Sequence, residues 1–84
     1  MKFNILIVDD EKNIREGLGK ALELDGYNVL LAVDGQEGLD KALSEDPDLI
    51  LLDVQMPRMT GIEVLEALAE RNRQIPVILM TLHG

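Results

Sequence analysis

Four consecutive apolar residues, Leu49-Ile50-Leu51-Leu52, run straight into Asp53, and Pro57 follows four positions later. An unbroken apolar run of this length reads as a strand covered on both faces, as in a parallel sheet whose crossover helices pack above and below it. A chain built around such a strand must supply helices before and after it. Ligand sites in these sheets lie beyond the carboxyl ends of the strands, so Asp53 stands where chemistry is done. Taken alone, it is equally an aspartate that ends a strand and caps the following turn.

The flanking sequence supplies the helices. Phe3 to Val8 is apolar apart from Asn4 and ends on Asp9-Asp10, again a strand running into carboxylates. Helical spacing then puts Ile14, Leu18, Ala21 and Leu22 on one stripe, with Lys12, Arg15, Glu16, Lys20 and Glu23 elsewhere, until Gly26 stops the helix. Asn28 to Val33 reads as the next strand. Asp34, with Glu37 three positions on, nearly matches a capping box and opens a helix that buries Leu39, Ala42 and Leu43. Pro47 separates this helix from the Asp53 strand. After a loop from Val54 to Thr60, Thr60 and Glu63 form a complete Thr-x-x-Glu box, and Ile62, Leu65, Leu68 and Ala69 trace the expected buried stripe of a third helix. Pro76 introduces a last strand, Val77 to Met80, which Thr81 follows. The order β-α-β-α-β-α-β with short connections predicts right-handed crossovers, a parallel sheet and helices on both faces.

Composition narrows the function. At 84 residues the sequence is a single domain, 1–84, expected to bury roughly 60% or more of its unfolded surface. The absence of cysteine excludes a disulfide framework and a thiolate metal site. Sixteen acidic against eight basic residues give a net charge of -8, which repels nucleic acid and suits a divalent cation or a basic partner. Phe3 and Tyr27 are the only aromatics, too few for a stacking platform. No apolar run approaches the roughly 20 residues of a membrane span, and no signal-like segment opens the chain, so a cytoplasmic protein is expected.

If the first and third strands are neighbours, Asp9, Asp10 and Asp53 converge at one edge, and Thr81 reaches the same rim. Carboxylates about 5 Å apart repel by roughly 3 kcal/mol per pair at an effective dielectric of about 20, so the cluster calls for a cation or a trapped proton. Mg²⁺ fits best, since it takes a few carboxylate oxygens and keeps several waters, whereas Ca²⁺ wants more protein oxygens than this rim offers. A carboxylate beside Mg²⁺ can act as a nucleophile toward phosphorus and form an acyl phosphate. Asp53 is the candidate nucleophile, Asp9 and Asp10 the candidate metal ligands, and Thr81 a hydrogen-bond donor to a phosphoryl oxygen. The competing reading of Asp9-Asp10 is a helix cap. Met56 and Met59 read as loop packing, and His83 as an exposed residue rather than a phosphodonor.

Val8-Asp9-Asp10-Glu11, Leu51-Leu52-Asp53-Val54-Gln55-Met56-Pro57, Gly61 and Met80-Thr81, in this order and spacing, resemble the receiver domain of two-component response regulators. The resemblance runs the length of the chain. It implies a flavodoxin-like sheet of order 2-1-3-4-5, phosphoryl transfer from a sensor histidine kinase to Asp53, and control of an output domain, transcriptional in kind. It further implies Mg²⁺ held by Asp10, by Asp9 through water, by Asp53 and by the backbone carbonyl of Gln55, with Thr81 as the switch hydroxyl. The ending Met80 to Gly84 is similar to receivers of the nitrogen-regulation type.

Relative to that family the sequence is expected to be an incomplete receiver, of strand order 2-1-3-4, without the fifth strand and its lysine or the last two helices. Leu82 stands where the family usually has a small residue. The alternative function is therefore a receiver that is not phosphorylated and serves as an interaction module, pairing with a second copy through its fourth strand and first helix. An aspartate-nucleophile phosphatase would carry an Asp-x-Asp motif on the first strand, whereas Asp9 and Asp10 are adjacent and the nucleophile lies on the third.

Overall fold

The expected alternation is present in the computed structural model, which describes residues 2–81. Its elements are β1 (Asn4–Val8), α1 (Lys12–Leu24), β2 (Asn28–Ala32), α2 (Gly35–Glu45), β3 (Leu49–Asp53), α3 (Gly61–Glu70) and β4 (Val77–Met80). All pairings are parallel and the order is β2-β1-β3-β4, the doubly wound order foreseen for these strands. Val8 lies opposite Leu52 and Asp53 opposite Met80, so the strands end nearly level. Central β1 and β3 are largely buried on both faces, while the edge strands β2 and β4 are half-exposed.

Alternation along the strands divides the sheet into two packed faces. Leu6, Val8, Ile50 and Leu52 form the main core with Leu39 and Ala42 of α2, Met56, and Val64 and Leu68 of α3. Ile7, Val29 and Leu31 point the other way and receive α1 at Gly19, where a Cβ would stand 3.2 Å from the Leu31 side chain and 3.9 Å from that of Ile7. No helix among the described residues is long and apolar enough to cross a membrane.

The helix ends follow local chemistry. Gly26 adopts φ 95°, and the bonds Gly26 N–H to Glu23 O (3.0 Å) and Tyr27 N–H to Leu22 O (3.1 Å) close α1 in a Schellman motif. Asn72 at φ 56° closes α3 the same way, with Arg73 N–H donating to Leu68 O at 3.0 Å. At the start of α2 the Asp34 carboxylate accepts from Glu37 N–H at 2.8 Å, but Glu37 reaches back to Val33 N–H rather than to the cap residue itself. The α3 box is complete: Glu63 N–H donates to Thr60 Oγ1 at 3.2 Å, and Thr60 N–H to Glu63 Oε1 at 3.0 Å. Replacing Thr60 by alanine is therefore expected to cost about 1 kcal/mol. Thermal melting should show it as a fall of roughly 4 to 8 °C.

Two helix faces differ from the expected ones. On α3 the buried positions are Gly61, Val64 and Leu68, while Ile62 is 45% exposed and Ala69 faces solvent. The start of α3 is pinned by the Thr60 box and by the close approach of Gly61 to β3, and this sets the rotation that turns Ile62 outward. On α1 the apolar stripe is only half covered: Ile14, Leu18 and Leu22 are half-buried and Ala21 is exposed.

Candidate functional site

Because β1 and β3 are neighbours in register, the residues that follow Val8 and Leu52 emerge side by side. Asp9 and Asp53 are fully buried there, and Asp10 sits exposed beside them. Carboxylate oxygens of the three all lie within 4.8 Å of one another. The convergence read from the sequence is thus present.

Backbone turns orient the two buried carboxylates. Glu11 N–H donates to Asp9 Oδ1 at 2.8 Å, and Gln55 N–H to Asp53 Oδ1 at 3.0 Å, so each aspartate bends the chain that follows it back over the site. The helix-cap reading of Asp9-Asp10 fails, because the N-cap of α1 is Glu11, whose side chain accepts from Asn13 N–H at 3.1 Å. Arg15, which the periodicity placed off the buried stripe, is half-buried and donates from Nη1 to the Asp9 carbonyl at 2.9 Å. The sequence held no signal for this contact, since it depends on how α1 lies across the end of β1.

The far side of the site is set by a close backbone approach. A Cβ on Gly61 would fall 2.4 Å from the Asp53 carbonyl oxygen and 3.0 Å from Val54 Cα, and Gly61 N–H bonds the Val54 carbonyl at 3.2 Å. Glycine is the only side chain that lets α3 begin this close to the end of β3. Val54 N–H donates to the Met80 carbonyl at 3.1 Å, which carries the end of β4 alongside. Thr81 follows directly and is exposed at this end of the sheet, as is Gln55 on its loop. Met56 is buried in the core and Met59 packs against it, so both are packing residues. Leu82 and His83 lie outside the described residues.

Three carboxylates within reach of one ion, with no sulfur or imidazole among them, make a hard-oxygen donor set. It fits Mg²⁺, which needs few protein ligands.

A family model, the response regulator receiver domain, matches residues 5–84. The chain belongs to this family. Among curated relatives, the response regulator MprA of Mycolicibacterium vanbaalenii is 43% identical over 81 residues, which are 96% of this chain and 35% of that protein. The receiver sequence thus spans about a third of the curated relatives it matches. Among solved structures, the chemotaxis protein CheY4 of Vibrio cholerae superposes with a TM-score of 0.92 at 35% identity, covering 100% of this chain and 72% of that one. The response regulator TrrA of Thermotoga maritima, solved in complex with Mg²⁺-BeF, gives 0.89 at 40% identity with coverage of 100% and 72%. The fold of this receiver is the flavodoxin-like one these proteins share.

Proposed function

We propose that this receiver, in the cytoplasm, takes a phosphoryl group from the phosphohistidine of a sensor histidine kinase onto Asp53, and that the phosphorylated form controls a transcriptional output domain of the parent protein. The observation that carries the reading is the cluster of Asp9, Asp10 and Asp53 at the carboxyl ends of adjacent strands, with oxygens within 4.8 Å. A carboxylate oxygen of Asp53 attacks phosphorus, the P–N bond to the donor imidazole breaks with its electron pair passing to nitrogen, and an acyl phosphate is left. The Gln55 N–H bond to Oδ1 holds the attacking carboxylate in one orientation. Asp10, Asp53, the Gln55 carbonyl and, through water, Asp9 would hold Mg²⁺, which when bound offsets the charge on the transferring group. Thr81, at the end of β4, is the hydroxyl that turns toward the phosphoryl oxygens. The Mg²⁺-BeF complex of TrrA supports the assignment by similarity.

Incubating the parent protein with acetyl phosphate and Mg²⁺ is expected to add one acid-stable, alkali-labile phosphoryl group. Chelation should prevent it and Asp53→Asn abolish it. Equal labelling of the asparagine variant ends this reading.

A second reading rests on β4, where Ile78 is 53% and Leu79 41% exposed on an edge strand, and on the half-covered stripe of α1. Apolar edges of this kind pair with other strands. The 84-residue species is proposed to self-associate through β4 and α1. Sedimentation should then show dimers that Ile78→Lys disperses, and a monomer at high concentration would discard the idea.

A further inference from the structure

The loop between β3 and α3 contains a backbone feature that phosphoacceptor chemistry does not by itself explain. Met59 N–H donates to the Pro57 carbonyl at 2.8 Å, closing a γ-turn around Arg58, whose φ is 67°. A γ-turn of positive φ is the rare and strained form, and arginine has no local means of easing it. The other non-glycine residues of positive φ among those described, Asp46 and Asn72, are of the types that tolerate this region and sit at helix ends.

The strain is held from both sides. Gly35, at the start of α2, lets the Met59 carbonyl approach so closely that a Cβ there would stand 2.6 Å from its oxygen. Gly61 fixes the other end of the loop against Asp53. Strained conformations persist where the surroundings over-determine them, and they gather at functional sites.

This turn borders a cleft of about 310 Å³ that also has Asp10, Val33, Asp34 and Met59 in its walls. The volume is of the size that takes a small molecule. Among the described charged residues lining it, Asp10 and Asp34 are acidic and Arg58 is the only cation. Arg58 is exposed, and the salt bridges among the described residues, Lys41–Glu37 and Arg73–Asp46, do not engage it. A phosphoryl donor is an anion, and it must approach three carboxylates on a chain of net charge -8. One guanidinium at the mouth then has a large effect on how often donor arrives.

We propose that Arg58 is a donor-binding residue, held on the strained turn so that its guanidinium meets the phosphoryl dianion of a small acyl phosphate entering the cleft beside Asp10. The proposal rests on the phosphoacceptor reading above and deepens it by naming the group that captures a small anionic donor. The turn would be easier to form with glycine, and arginine is kept there for its charge.

The test compares Arg58→Gly and Arg58→Lys with wild type in the parent protein, following acetyl phosphate labelling of Asp53 together with thermal melting. Arg58→Gly should label about tenfold more slowly through a raised KM, yet melt several degrees higher because the positive φ costs glycine nothing. Arg58→Lys should stay within about twofold of wild type in rate, since the charge remains. The deficit of the glycine variant should shrink at about 0.5 M salt, where the Debye length falls to a few ångströms. It should also be smaller with phosphoramidate, a less charged donor. If Arg58→Gly labels as fast as wild type, or loses rate and melting temperature together, the proposal is overturned while the role of Asp53 stands. Failure of wild type to label at all overturns both.

Discussion

Gly61→Ala is expected to lower the melting temperature by about 10 to 20 °C and to take Mg²⁺-dependent labelling with it. The added Cβ would sit 2.4 Å from the Asp53 carbonyl oxygen and 3.0 Å from Val54 Cα. Both are backbone atoms and neither can swing aside. Relief requires α3 to back away from β3, which breaks the Gly61 N–H to Val54 O bond and strains the cap at Thr60. Overpacking against fixed atoms costs up to about 3 kcal/mol or more, and for a domain of this size each kcal/mol is worth roughly 4 to 8 °C. Thermal melting measures the first effect. The second is distinct: the same shift moves the backbone that aims Asp53, so Gly61→Ala should label poorly even at temperatures where it is folded. A variant that melts and labels like wild type would show that the close approach is not needed.

Asp10→Asn is expected to weaken Mg²⁺ binding on the order of 100-fold, while leaving the fold in place. Asp10 is the exposed member of the cluster, and its side chain neither caps α1 nor packs in the core. Its removal takes one full charge and one hard oxygen from the set of three found among the described residues, and Mg²⁺ relies on few protein ligands. Binding also stabilises the folded state by mass action, by about 2.7 kcal/mol when Mg²⁺ is present at a hundred times its Kd. Wild type should therefore melt higher on addition of millimolar Mg²⁺, and Asp10→Asn should hardly respond. Amide NMR titration gives the affinities directly, since the chain has no tryptophan. Shifts should centre on Asp9 to Glu11 and Asp53 to Gln55. Shifts scattered over the acidic surface, or equal affinity in the variant, would remove Mg²⁺ from this site.

The features legible in the sequence are those set by short-range chemistry. Leu49 to Leu52 had to be a strand covered on both faces, and Gly26, Asp34 and the Thr60–Glu63 pair marked helix ends through bonds within a few residues. Alternation of strand and helix then placed Asp9 and Asp53 at the same edge. What escaped depended on tertiary placement. Apolar residues at Ile62, Val64, Leu65, Ala67, Leu68 and Ala69 surround much of α3, so no single stripe stands out, and only the approach at Gly61 chooses Val64 and Leu68 as the buried pair. The cap of α1 was read at Asp9-Asp10, and the turn at Asp9 instead gave the position to Glu11. Arg15 was placed off the buried stripe because its acceptor, the Asp9 carbonyl, lies outside α1, just beyond the end of β1. A loop was expected from Val54 to Thr60, but nothing local could announce a positive φ at Arg58, a residue type that resists it.

Asp53, among three adjacent carboxylates, is proposed to receive the phosphoryl group. Borohydride reduction of the phosphorylated protein converts an aspartyl phosphate to homoserine, and peptide mass spectrometry then places it in the sequence. Homoserine is expected at position 53 alone, formed only when Mg²⁺ accompanied the donor. Homoserine at position 9 or 10, or a phosphoryl group found on a hydroxyl or imidazole with residue 53 still aspartate, would contradict it.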